Sequence, residues 1–137
     1  MKRSPALQAL SREHHTALVL SKACAGAAAS KDAEKIAAQC AKVKRVFEQE
    51  LEPHFKLEEE QLLPRMQAAG ELALVERTLQ ENRDLRAMAT SIALRGNAEA
   101  LTAFAELLAS HVRFEERELF ATAERLLPLL GHDFPGD

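Results

Sequence analysis

The sequence predicts an all-α protein folded as an antiparallel up-down four-helix bundle. Ala, Leu and Glu dominate while Ile, Val and Thr are scarce, so strong helix formers abound and no alternating strand pattern occurs. Within each of four long stretches, apolar residues recur every three or four positions, which lines them up on one helix face. Gly26, Gly70, Gly96 and Gly131 separate the stretches, at places where a helix commonly stops in a left-handed residue. A chain of 137 residues is long enough for one domain, 1–137, around a single core.

Helix one is expected over about 5–25, opened by Ser4 as cap and Pro5 in the first turn; its stripe is Leu7, Leu10, His14 and Ala17/Leu18. Helix two, about 31–68, carries Ile36, Cys40, Val43, Phe47 and Leu51, then His54, Glu58 and Leu62. Pro53 removes a backbone bond just before His54, which predicts either a kink there or a bend that follows the bundle. Helix three, about 71–94, carries Leu72, Val75, Leu79, Asn82, Leu85/Arg86 and Ala89. Helix four, about 98–129, carries Leu101, Phe104, Leu108, His111, Glu115 and Leu119. Short connections between such helices imply antiparallel neighbours. Phe55 and Leu63 fall off the helix-two stripe and are candidates for a dimer face in a homo-oligomer, while His132 reads as a loop residue in the C-terminal tail.

The composition narrows the function. Lys and Arg total 18 against 21 Asp and Glu, a formal net charge of -3, which gives no general attraction to nucleic acid or to an anionic membrane. There is no Trp or Tyr and the Phe residues are scattered, so no base-stacking platform is evident. The longest run of small or apolar residues, Ala23 to Ala29, is far short of the roughly 20 residues a membrane helix needs. Ser4-Pro5 follows Met1-Lys2-Arg3 where an apolar stretch would follow in a signal peptide, so none is expected. Cys24 and Cys40 cannot make a disulfide framework and no Cys-x-x-Cys pair occurs, which reads as two reduced thiols in a cytoplasmic protein.

Every apolar seam is interrupted by a polar residue at one level. Two of the interruptions repeat each other: Leu51, His54, Glu58 and Glu59 correspond position for position to Leu108, His111, Glu115 and Glu116, and Phe47 matches Phe104 at the same offset. His-x-x-x-Glu puts an imidazole and a carboxylate one turn apart on one face. A single such pair is commonly a solvated ion pair, but here both members replace core residues, and do so twice. An ionised carboxylate buried without a partner costs several kcal/mol, against a total stability of about 5–15 kcal/mol. The pattern therefore calls for a cation between the helices; the alternative is neutral Glu–His hydrogen bonding in a wet core. Imidazole with carboxylate and no thiolate suits iron, manganese or zinc. The His-Glu-x-x-His of zinc proteases is absent, and no Glu stands three residues before a histidine, which disfavours the ferritin-like di-iron class.

In these residues the chain resembles the hemerythrin-like family, the HHE cation-binding domain, from Leu10-Ser11-Arg12-Glu13-His14-His15 to His111-Val112-Arg113-Phe114-Glu115-Glu116-Arg117-Glu118-Leu119-Phe120. The resemblance implies a non-haem di-iron centre whose ligands carry over to His14, His54, Glu58, His111 and Glu115, with the two carboxylates as bridges. His15, one position round the helix from His14, is a further candidate ligand. The activity implied is binding of dioxygen or another small diatomic or redox ligand such as nitric oxide, as a sensor or store. No nucleophile with an oriented base is evident, so an enzyme is not expected.

One position departs from the family. Where its helix-three histidine follows a Glu and precedes a Leu-Arg, this chain has Asn82, within Glu81-Asn82-Arg83-Asp84-Leu85-Arg86. An amide oxygen is a weak, neutral ligand, so one iron site is expected to be under-ligated, open to an exogenous ligand, or empty. Asn82 also motivates a different class of reading, a metal-depleted bundle working as an interaction or signalling module. Glu59, Glu60 and Glu116 lie off the stripe and read as solvated charges, while Glu118, at its edge, is a candidate extra ligand or acceptor. If Asn82 weakens one site, Asn82→His raises the iron held per chain after anaerobic loading, measured by elemental analysis; an unchanged iron content contradicts the weak-site expectation.

Overall fold

The computed structural model describes residues 5–126, which form four helices and contain no strand. Helix α1 is Pro5–Ser30. Helix α2 covers 33–68, beginning as Ala33–Val46 and ending as Leu63–Ala68. Helix α3 is Leu72–Arg95, and α4 covers 98–126, beginning as Ala98–Phe114 and reaching the last described residues as Phe120–Leu126. Ser4, Gly131, His132 and the expected helical residues 127–129 lie outside the described residues. Among the described residues no helix is long and apolar enough to cross a membrane.

The helix ends obey local chemistry. Gly26 does not stop α1: it is exposed within the helix, and Ala27, Ala28 and Ala29, the best helix formers, carry the helix on to Ser30. The turn comes at Lys31, in the left-handed region at φ 56°, and Asp32 then caps α2 by accepting from the Glu34 and Lys35 backbone N–H groups. Gly70, at φ 88°, closes α2 as a Schellman motif: Glu71 N–H donates to the Met66 carbonyl and Gly70 N–H to that of Gln67. The Asn97 side chain accepts from Ala100 N–H and opens α4.

Neighbouring helices run antiparallel. Between α1 and α4 the pairs are Ser11–Glu116, His14–Glu115 and Ser21–Ala105, so one number climbs as the other falls. Glu13–His54 and Cys24–Gln39 do the same between α1 and α2, and Glu52–Arg86 and Glu59–Asn82 between α2 and α3. Arg77–Glu118 and Glu81–His111 complete the ring between α3 and α4.

Three turns are widened to π geometry: Phe47–Leu51 and Glu58–Leu62 in α2, and Glu115–Leu119 in α4. They close with N–H donors of Glu52, Leu63 and Phe120 on the carbonyls of Phe47, Glu58 and Glu115. Pro53 and Pro64 come directly after the first two. A helical proline clashes with the carbonyl four residues earlier, and a wider turn just before it relieves the clash. The extra residue also rotates the downstream part of the helix by about 100° relative to an unbroken α period. That rotation corrects the dimer-face expectation: Phe55 and Leu63 are both buried, Phe55 packed edge-on against Phe47. Leu18 and Leu72, expected on the inner stripes, are instead exposed.

The apolar core comes in two parts. One gathers Leu20, Val43, Phe47, Phe55, Ile92, Phe104 and Leu108 with their neighbours, and the other Leu7, Leu10, Leu62, Met66, Val75, Phe114 and Phe120. Between them lie buried polar side chains: His14, His54, Glu58, Asn82, His111 and Glu115. Gly96 joins α3 to α4 where a Cβ would come within 2.5 Å of Cys40 Sγ and 2.6 Å of the Ile92 carbonyl, whereas at Gly26 it would meet nothing within 4 Å. Gly96→Ala is therefore expected to destabilise the protein by about 1–3 kcal/mol. Gly26→Ala should stabilise it by up to about 1 kcal/mol. Urea midpoints check both, and equal shifts of one sign would contradict the packing difference.

Candidate metal centre

Four buried side chains, His14 from α1, His54 and Glu58 from α2 and Glu115 from α4, each bring one ligand atom within 4.8 Å of the others. His14 Nε2 lies 2.7 Å from Glu115 Oε1, and His54 Nε2 lies 3.0 Å from Glu58 Oε2 and 3.5 Å from Glu115 Oε1. His111 joins through the other carboxylate oxygen, its Nε2 standing 3.1 Å from Glu115 Oε2 without making a hydrogen bond. Glu58 and Glu115 have no solvent exposure at all. Among the described residues, four buried side-chain atoms make no hydrogen bond: Glu58 Oε1, Asn82 Oδ1, His111 Nε2 and Glu115 Oε2. Buried polar atoms are rarely left so, and nitrogen and oxygen lone pairs gathered without partners are the donor set of a cation site.

Around this cluster a second layer of glutamates closes a ring through all four helices. Glu13 on α1 accepts from His54 Nδ1 on α2 at 2.7 Å, and Glu59 on α2 accepts from Asn82 Nδ2 on α3 at 3.1 Å. Glu81 on α3 accepts from His111 Nδ1 on α4 at 2.7 Å, and Glu116 on α4 accepts from His14 Nδ1 on α1 at 2.6 Å. Each helix thus supplies one inward donor and one carboxylate that backs the donor of a neighbouring helix. With Nδ1 held as the protonated nitrogen, Nε2 of every imidazole faces the centre, the arrangement common around metal-ligating histidines.

Compared with known families, residues 6–123 match the hemerythrin HHE cation-binding domain. The chain belongs to this family. No curated protein and no solved structure matches it. The donor set fits the cation for which the hemerythrin domain is described: buried imidazoles and carboxylates drawn from three of the four helices, some of their lone pairs unpartnered.

The structure does not bring His15 to the hemerythrin centre. It is exposed, beside Thr16, Val19 and Lys42 in a surface hollow, because one residue turns the helix by about 100° away from His14. Glu59 and Glu116, expected as solvated charges, are instead members of the second layer. Glu118 is exposed and pairs with Arg77 at 3.5 Å, away from the centre. Glu13 and Glu81 are not singled out by the helical stripes. The signal shared by the layer is a Glu immediately beside one inward residue on each helix: Glu13-His14, Glu58-Glu59, Glu81-Asn82 and Glu115-Glu116.

Electrostatics show how the metal-free fold balances its charges. Burial raises the Glu58 carboxyl, and the neighbouring Glu115 charge adds to it, pushing it up to about 8. Burial acts on Glu115 in the same direction, but the nearby His111 charge and hydrogen bonds from His14 and His54 hold it well below the usual carboxylate range. Burial works to lower the His111 imidazole, yet the Glu115 charge beside it and the hydrogen bond to Glu81 push it up to about 10. His14 and His54 are raised for the same reason, against burial. Protons supply the positive charge that the buried carboxylates require.

Because the folded His111 value of about 10 lies above the ordinary 6.5, its stabilising contribution is whole below 6.5 and lost as pH rises through about 10. Glu58, raised from 4.5 to about 8, acts in the same direction, its contribution fading from 4.5 upward. Metal-free protein is therefore expected to lose stability between neutral pH and about 10, as read from urea midpoints. Metal uptake should release protons and tighten as pH rises, as read by calorimetry in two buffers of different ionisation heat. A flat stability profile together with proton-neutral binding would contradict the charge balance.

Proposed function

We propose that this hemerythrin-domain protein binds non-haem iron, as a di-iron centre with one weaker half, and presents it to a small diatomic or redox ligand such as dioxygen or nitric oxide. The observation that carries the reading is the convergence of three buried imidazoles on two fully buried carboxylates with unpartnered lone pairs. His14, His54, His111, Glu58 and Glu115 would hold the metal, with Asn82 in place of a sixth strong donor. Bound iron would supply open coordination positions and one-electron chemistry. Zinc or manganese would also accept these donors.

Support for a small ligand comes from the cavity beside the imidazoles. It measures about 10 Å³ and is lined by Glu13, His14, His54, His111 and Glu115 together with apolar residues that include Leu51, Phe55 and Leu108. That is about the space of one water-sized sphere, which favours a small ligand over a bulky one. The Nδ1 bonds to Glu13, Glu81 and Glu116 keep the three rings in place. Cys24 and Cys40 are free thiols, and burial pushes Cys24 up to about 11, which keeps it a poor nucleophile.

The second reading, a metal-depleted bundle serving as an interaction module, rests on Asn82. Elemental analysis of protein purified from cells separates the two. Iron-loaded protein in air is expected to show near-ultraviolet and visible ligand-to-iron charge-transfer absorption, and His54→Ala or Glu58→Ala to abolish it. A colourless protein that holds no metal after anaerobic iron loading would refute the iron-binding function.

A further inference from the structure

Building on that metal-binding reading, we propose that the two halves of the centre select different divalent cations, the Asn82 half being built for a hard, oxygen-seeking ion of the manganous class. The contacts divide the donor atoms. His14 Nε2, His54 Nε2, Glu58 Oε2 and Glu115 Oε1 contact one another, an equal mix of nitrogen and oxygen. The atoms left without hydrogen bonds are Glu58 Oε1, Glu115 Oε2, Asn82 Oδ1 and His111 Nε2, a set dominated by oxygen. His111 Nε2 and Glu115 Oε2 of this set stand 3.1 Å apart, and each carboxylate would offer one oxygen to each half.

Asn82 is a held oxygen donor rather than a missing ligand. Its amide nitrogen donates to Glu59 Oε2, and Glu59 is itself gripped by Arg86, whose two terminal nitrogens donate to its oxygens at 2.7 and 3.1 Å. Arg86 is in turn fastened to Glu52 through Nε at 2.8 and 3.0 Å. A carboxylate paired with guanidinium is ionised and only accepts, so a flipped Asn82 amide would set oxygen against oxygen. The amide must turn its NH2 to Glu59 and its fully buried Oδ1 away from it, where Oδ1 finds no donor.

Imidazole favours iron, zinc and copper, whereas carbonyl and carboxylate oxygens favour manganese, magnesium and calcium. Calcium takes about six to eight oxygens and magnesium keeps several waters. Three oxygens fall short of calcium's number, and an imidazole nitrogen is foreign to the all-oxygen shells of both ions. Any site of this kind holds ferrous iron more tightly than manganous ion, so selection lies in the difference between halves. Exchanging an imidazole for an amide oxygen narrows iron's lead in the Asn82 half alone.

The test loads the full, metal-free chain anaerobically with ferrous iron and a large excess of manganous ion, then counts both metals and records the manganese paramagnetic resonance. About one iron and one manganese per chain are expected. In Asn82→His the manganese-to-iron ratio falls by about tenfold as the second half turns to iron. Glu59→Gln, which frees the amide to flip, weakens manganese binding by about tenfold or more while the iron of the His14–His54 half stays. Two irons without manganese, one iron with nothing beside it, or an equal ratio in wild type and Asn82→His overturns the inference and leaves iron binding standing. Absence of both metals from the wild-type chain overturns the iron-binding reading as well.

Discussion

Two carboxylates with no access to water, Glu58 and Glu115, set the terms for the rest of the molecule. An uncompensated charge in such a place costs several kcal/mol, comparable with much of a small domain's net stability. The bundle answers with three imidazoles whose rings stay protonated above their ordinary range, and with glutamates that hold each ring from behind. A metal cation arriving at the centre replaces protons that already sit there. Without an ion, the raised imidazoles are what offset the buried carboxylate charge.

The second-layer ring ties this local balance to the fold. Apolar packing alone holds the two halves of the core on either side of the polar level, and across that level the helices are joined by Glu13–His54, Glu59–Asn82, Glu81–His111 and Glu116–His14. Each link spans two neighbouring helices, and the last returns to the first. Loss of one link leaves an imidazole or amide free to turn, which alters the inner donors without touching them. Arg86 reinforces one corner by bridging Glu52 and Glu59 one helix away from its own.

Much of this was legible in the chain because both helix packing and donor placement repeat with the α period. The stripes of α2 and α4 read correctly from Cys40 and Val43 through Leu51 to Leu62 and from Leu101 through Leu108 to Leu119, and the inner positions of His14, His54, Glu58, His111, Glu115 and Asn82 came from the same spacing. The positions that escaped are departures from that period. The π turns at Phe47–Leu51 and Glu58–Leu62 rotate Phe55 and Leu63 inward, where an unbroken helix would leave them outside. Gly26 was overruled by the alanines after it. The outer glutamates sit off the stripe by construction, since a residue beside an inward donor points toward the neighbouring helix. Their role emerges only from which helices are neighbours.

The π turns also explain how the polar level is sealed. In α2 the turn Glu58–Leu62 has Pro64 just beyond it, but the matching turn Glu115–Leu119 in α4 has no proline after it. Relief of a proline clash therefore cannot be the feature the two share. Both begin at a buried carboxylate, and both end at two consecutive buried apolar residues, Leu62 and Leu63 in one and Leu119 and Phe120 in the other. Successive residues of an α-helix diverge by about 100°, so one of each pair would ordinarily turn toward solvent. Widening the turn lets both face the core directly next to the carboxylates. Phe120 then stacks on the His14 ring at 5.1 Å between centroids, with the planes 3° apart. The repeated departure from α geometry thus encloses the same carboxylates whose charge the imidazoles balance, and a centre open to water would need neither device.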